Sequence, residues 1–189
     1  LYYNPSDNSI HDFTSGLDDI NSRTIRIIGD PSTRYREDPV RLLRVVRFAA
    51  KLGFGIDSRS AKPMSKLSAD LAQVSPPRLF DETLKLFMSG KGAAIYALLR
   101  EYKLFDYLVP QANRLANDGS NNANCLFEQA FINTDRRISS NQRVTPAFIY
   151  AALLWPAVEK LAEQLREKGN SASYALSKAS SDVISKQVH

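Results

Sequence analysis

Residues 34–53 read RYREDPVRLLRVVRFAAKLG, and the spacing of that stretch decides the fold around it. At about 100° per residue, with Arg41 at 0°, Glu37 falls near about 320°, Arg44 near about 300°, Lys51 near about 280° and Arg47 near about 240°. Leu42, Val45, Val46, Ala49, Ala50 and Leu52 fall between about 20° and about 180°. The spacing therefore predicts an amphipathic helix that buries one side and shows arginines on the other, with a carboxylate at its N-terminal end. Asp38 reads as its N-cap, Pro39 as its first helical residue and Gly53 as its stop. An ordinary surface helix whose arginines pair with neighbouring acids fits the same periodicity.

The charge of the whole chain points to the same place. The net charge is +5, and residues 23–51 carry eight basic residues (Arg23, Arg26, Arg34, Arg36, Arg41, Arg44, Arg47, Lys51) against three acidic ones (Asp30, Glu37, Asp38). A basic cluster of this kind suits phosphate-bearing partners. With 189 residues, 43% hydrophobic and 24% charged, the chain is long and apolar enough to bury a core. One cysteine, Cys125, excludes an internal disulfide framework, and two histidines, His11 and His189, leave no zinc cluster. These counts suit a cytoplasmic protein. The longest apolar run, residues 147–158, is about half a bilayer crossing and contains Pro156, so no membrane segment is expected.

Upstream, residues 1–3 and 9–13 flank a turn-forming NPSDN and predict a hairpin, with His11 an ordinary hairpin histidine; residues 24–28 read as a third strand. All three look like the edge of a sheet completed elsewhere. Downstream, helices are expected after Asp57 to Leu71, from Ser75-Pro76 to Gly90, over residues 92–102, 124–137 and 146–168 (capped by Thr145, kinked at Pro156), and over 173–186. Residues 117–122 are the linker candidate, and Cys125 reads as a small core residue. The aromatic stripe Phe148, Tyr150 and Trp155 reads as core, though it could instead face a protein partner.

Asp38 and Arg41 sit one turn apart and can be presented together. Adenine and cytosine each carry an amino donor beside a ring-nitrogen acceptor on the pairing edge. A carboxylate and a guanidinium match both; guanine and uracil would meet them acceptor to acceptor and donor to donor. Such a pair selects A and C without separating them.

Residues 34–53 resemble the EDxxR motif, with its flanks, of the class II nucleotidyltransferases, the bacterial poly(A) polymerases and tRNA CCA-adding enzymes. DFTSGLDDI at residues 12–20 resembles the DxxGGxxDL element, IRIIGDP at 25–31 the approach to EDxxR, and RLFDETLK at 78–85 the RxxxExxK helix that comes after it. The wording of EDPVR, the aromatic YKLFDYL at 102–108 and PAFIYAALL at 146–154 look more like poly(A) polymerases. The resemblance implies a mainly α chain: helical neck and body domains preceded by a small β remnant of an α+β nucleotidyltransferase head. Residues 1–30 would be the remnant, 31–115 the neck and 116–189 the body. Asp38 and Arg41 would read the base with Glu37 holding Arg41 and Arg44 joining the nucleotide site, while Arg34, Arg36, Arg47 and Lys51 would face triphosphate or RNA backbone. Arg78 and Glu82 would form an ion pair bracing the site, and Asp12 and Asp19 would shape the turn closing the head sheet. The function implied is addition of adenylates to RNA 3′ ends from ATP, with tRNA CCA addition as the alternative.

Two departures matter. Ser15 stands where the family has the first of two glycines. The DxD element, whose carboxylates would hold Mg²⁺, and the RRDFT motif, which adds an arginine-rich strand, do not occur in the sequence; LYY at 1–3 resembles the residues directly after RRDFT. The chain thus reads as a piece of a longer protein, inactive alone, with base recognition and RNA binding as its contribution. A non-catalytic helical RNA-binding module, with Tyr35, Phe48 and Phe54 beside the basic stripe, is the alternative from another class.

Overall fold

The computed structural model describes residues 1–110 and 121–188. Strands β1 (Tyr2–Asn4) and β2 (Ser9–His11) form the expected antiparallel hairpin, with Tyr3 opposite Ile10. A short helix, α1 (Gly16–Asn21), leads to β3 (Thr24–Ile25). Here the expectation of one shared sheet edge fails. β3 pairs not with the hairpin but, in parallel, with β4 (Gly55–Ile56), a two-residue strand beyond Gly53. Gly53 ends the preceding helix at φ 66°, the left-handed conformation in which a residue without Cβ is unstrained, and so turns the chain back toward β3.

The decisive stretch forms two helices, α2 (Pro31–Glu37) and α3 (Val40–Leu52). Asp30 caps α2 by accepting from the Thr33 N–H at 2.8 Å. Asp38 lies between the helices with φ −150° and ψ 94°, because the Pro39 ring disfavours helical geometry in the residue before it. Pro39, not Asp38, occupies the N-cap of α3, one residue later than expected. Leu42, Val45, Val46 and Ala49 are buried as expected, and so are Val40 and Leu43, whereas Leu52, at the edge of the apolar sector, is 53% exposed.

Beyond β4 the expected second helix breaks into α4 (Ser58–Ala61), α5 (Met64–Leu67) and a 3₁₀ turn over Ser68–Gln73. Then come α6 (Pro76–Phe87), α7 (Gly92–Glu101) and an unanticipated single turn, α8 (Phe105–Leu108). Ser75 and Thr145 occupy N-cap positions without making side-chain capping bonds. The last helices are α9 (Asn121–Ser139), α10 (Pro146–Glu167), unbroken across Pro156, and α11 (Ala172–Val188). The expected linker at 117–122 lies outside the described residues up to 120, and 121–122 open α9.

A continuous core runs from Tyr35 through α3, α6 and α7 to Phe127, Phe131 and Leu153. Its centre is aromatic: Phe87 stacks on Phe131 at 4.3 Å between ring centres, and Tyr96 meets Phe105 edge-on at 5.0 Å. Burial pushes the Tyr96 phenol up to about 12. Two further expectations are corrected. Cys125 is exposed on α9 rather than buried, and Phe148 and Trp155 are 47% and 46% exposed, so their stripe is not core. Among the described residues no helix is long and apolar enough to cross a membrane.

Candidate functional site

The α2–α3 junction concentrates the charged residues of the motif. Glu37, the last residue of α2, receives Arg34 Nη1 at 2.6 Å and Arg41 Nη1 at 3.0 Å on the same oxygen, Oε2. The Arg41 Nη1 group also donates to the Arg34 carbonyl oxygen at 2.7 Å. These contacts immobilise one edge of the Arg41 guanidinium. Among the described residues its Nε and Nη2 take no partner, which leaves a planar donor edge available at the junction.

Asp38 is tied to Arg41 through the backbone, its carbonyl oxygen accepting from the Arg41 N–H at 3.0 Å. One carboxylate oxygen, Oδ1, accepts from the Val40 N–H at 3.3 Å. The other, Oδ2, accepts from Arg78 Nη2 at 2.9 Å. Arg78 sits in the first turn of α6, where a cation opposes the helix dipole. That misfit is the sequence signal that could have exposed a partner 40 residues away.

Arg78 and Glu82 do not form the ion pair with each other that the resemblance implied. Each reaches the motif separately: Arg78 takes Asp38, while Glu82, buried, faces Arg47 at 3.8 Å and accepts from Lys85 Nζ at 2.7 Å. On the helical wheel Arg47 stands at about 240°, beside buried Leu43 at about 200°, so its guanidinium enters the α3–α6 interface. It is 18% exposed and lies 4.8 Å from the Phe48 ring centre. Arg47 therefore does not extend into solvent with the other arginines. Arg36, Arg44 and Lys51 are exposed and make no ion pair among the described residues, and Arg34 is shared with Glu37.

Next to the N-terminal hairpin, Asp12 Oδ1 accepts from the Thr14 N–H at 3.0 Å and Oδ2 from the Leu17 N–H at 2.8 Å. These backbone donors, Leu17 foremost, hold its carboxyl down to about 2. Ser15 adopts φ 55°, the left-handed conformation that a glycine would enter without strain. Asp19 accepts from Arg26 Nε at 3.0 Å, and Arg26 Nη1 reaches Asp57 at 2.9 Å, tying α1 to the cap of α4. Below them the buried Tyr35 hydroxyl donates to the Ser60 carbonyl oxygen at 3.0 Å. The sequence pattern gives neither Arg26 nor Asp57 a structural role, because their link depends on the β3–β4 pairing.

Asp12 and Asp19 are thus committed to backbone donors and to an arginine. Among the described residues no group of three or more His, Cys, Asp or Glu side chains could hold a metal ion. The described residues do not fit a Mg²⁺ site. A separate groove of about 1030 Å³ lies on the opposite side of α6, lined by Phe80, Tyr150, Trp155 and Ile184 among others, and holds no residue of the motif.

Residues 53–115 match the family described as the probable RNA and SrmB-binding site of polymerase A. The chain is also 43% identical over 186 residues, 97% of its length, to poly(A) polymerase I of Escherichia coli O6:H1. The likeness to poly(A) polymerases thus runs over nearly the whole chain. A CCA-adding enzyme of Staphylococcus epidermidis is a more distant relative, 35% identical over 99 residues, which are 52% of this chain and 25% of that protein. The fold resembles a solved tRNA-processing enzyme in its apo form, with a TM-score of 0.62 at 20% identity over 92% of this chain and 46% of that one. The chain spans about 40% of the length of the poly(A) polymerase it matches.

Proposed function

We propose that the parent protein adds adenylates to RNA 3′ ends from ATP, and that this chain reads the incoming base and grips the RNA. Residues 1–30 are then the remnant of a catalytic head, 31–115 a neck and 116–189 a body. The observation that carries this reading is the α2–α3 junction, where an acceptor carboxylate and an immobilised guanidinium edge stand one turn apart. Asp38 would accept from the adenine amino group while Arg41 donates to the adjacent ring nitrogen. Guanine presents the reversed pattern and would leave both groups unpaired. Glu37 keeps Arg41 in place. Arg36, Arg44 and Lys51 supply exposed positive charge to phosphates, just upstream of the segment 53–115 whose matched family carries an RNA-binding description.

In the reaction the RNA 3′ hydroxyl attacks the α-phosphate, a new phosphodiester forms and pyrophosphate leaves. Charge neutralisation at the phosphates would call for Mg²⁺, which the described residues of this chain are not arranged to hold. A cytoplasmic setting and a role in RNA 3′-end processing accompany the same reading. The base-reading pair alone also admits CCA addition, but the greater identity and coverage fall on the poly(A) polymerase side. The test is the full-length parent with an unstructured RNA primer. A ladder with ATP and none with CTP supports the reading. Repair of a tRNA lacking its end, with both nucleotides required, would replace it with CCA addition.

A further inference from the structure

We infer that Arg78 is a specificity-determining positioning residue: it fixes the orientation of the Asp38 carboxylate and so sets how strongly guanine is rejected. This rests on the base-reading role proposed for Asp38. Asp38 lies outside both helices and is held on its two sides by different elements, Val40 of its own chain turn at 3.3 Å and Arg78 of α6 at 2.9 Å. The Val40 contact is the longer one, and it leaves the carboxylate free to pivot about Oδ1. The Arg78 contact removes that freedom. Each carboxylate oxygen has two acceptor directions, so both contacts can persist while Oδ1 or Oδ2 accepts from an amino group.

Rejection of guanine depends on this rigidity. A carboxylate that cannot turn away must face the guanine carbonyl oxygen, acceptor to acceptor; one that can turn escapes the penalty. Cytosine presents the same donor and acceptor order as adenine. The carboxylate orientation thus bears on adenine against guanine and not on adenine against cytosine.

A neighbouring contact separates this role from simple bracing. Glu82 lies one turn further along α6, joins the same two helices through Arg47, and pairs with Arg47 and Lys85 rather than with any group bound to Asp38. Loss of Glu82 loosens α6 on α3; loss of Arg78 frees the carboxylate.

The experiment measures kcat/KM of the full-length parent for ATP, GTP and CTP on one RNA primer, with melting temperatures alongside. In Arg78→Ala the ATP:GTP ratio falls about tenfold while the ATP:CTP ratio holds, and Arg78→Lys recovers part of the loss. Glu82→Gln lowers the melting temperature with both ratios unchanged. An equal drop for all three nucleotides in Arg78→Ala, or an ATP:GTP loss as large in Glu82→Gln, overturns the assignment. Asp38→Ala is the reference. If it collapses the ATP:GTP ratio and Arg78→Ala does not, only the role of Arg78 falls; if Asp38→Ala also leaves the ratio intact, the base-reading assignment falls and takes this one with it.

Discussion

Asp135 joins α9 to α7 through a single carboxylate, and removing it has a calculable cost. Helix α7 has Lys91 at its N-cap, with no capping side chain of its own. The first N–H groups of α7 are satisfied instead from α9: Asp135 Oδ1 accepts from Gly92 at 2.7 Å and Oδ2 from Ala93 at 3.0 Å. Hydrogen bonds to a charged acceptor contribute about 1.5–3 kcal/mol, and an anion at a helix N-terminus about 0.3–1 kcal/mol of overlapping stabilisation. Asp135→Ala should therefore cost about 2–3 kcal/mol. At roughly 2–4 °C per kcal/mol for a chain of this size, the melting temperature drops by about 4–12 °C. Asp135→Asn keeps one acceptor and should cost about half. Gly92→Ala approaches the same contact from the other side, since an added Cβ would lie 3.3 Å from Oδ1 and 3.4 Å from the Phe131 ring. Urea unfolding followed by circular dichroism reads all three. An Asp135→Ala variant within about 0.5 kcal/mol of the parent, the range of an ordinary surface substitution, would show that α7 does not depend on this cap.

The basic face yields a contrast: Arg44→Ala and Lys51→Ala each lower the slope of log RNA affinity against log salt by about one phosphate contact, whereas Arg47→Ala leaves the slope unchanged and costs about 1–3 kcal/mol of stability through Glu82. An equal effect of all three on the slope would refute the burial of Arg47 as the deciding difference. Burial raises the phenols of Tyr35 and Tyr96. In an absorbance titration these two should ionise only at or beyond about pH 12, and Tyr35→Phe should cost about 1 kcal/mol by orphaning the Ser60 carbonyl. A full tyrosine titration complete by about pH 11 in the folded protein would contradict this. Asp12 has its carboxyl lowered to about 2, so its contribution is complete above the ordinary value of about 3.9 and is lost as pH falls through about 2. NMR of its side-chain carboxyl carbon should place the midpoint there; a midpoint at about 4 would mean that the turn at Thr14 and Leu17 is not held in solution.

Legibility from residues alone tracks the range of the interaction. The α3 periodicity and the long C-terminal helices depend on neighbours within a turn, and they stand where the spacing puts them. The one-residue shift of the α3 start reflects a tightened first turn, in which the Arg41 and Leu42 N–H groups reach back three residues, to the Asp38 and Pro39 carbonyl oxygens, rather than four. Contacts across the chain are invisible to such reasoning: the pairing of Thr24–Ile25 with Gly55–Ile56, the Asp135 cap of α7, and the choice of Asp38 rather than Glu82 as the partner of Arg78. Cys125 and Trp155 are exposed against expectation because periodicity finds an apolar stripe without showing which part of it another helix covers. The candidate site is legible as a set of residues. Its internal wiring is not.

The base-reading role of Asp38 and Arg41 is tested most directly by comparing ATP and GTP incorporation by the full-length parent and its Asp38→Ala and Arg41→Ala variants on the same primer. The expected result is a pair of folded variants whose kcat/KM for ATP falls by at least about tenfold while that for GTP changes little, closing the gap between them. An undiminished preference for ATP with normal turnover in both variants would contradict that role.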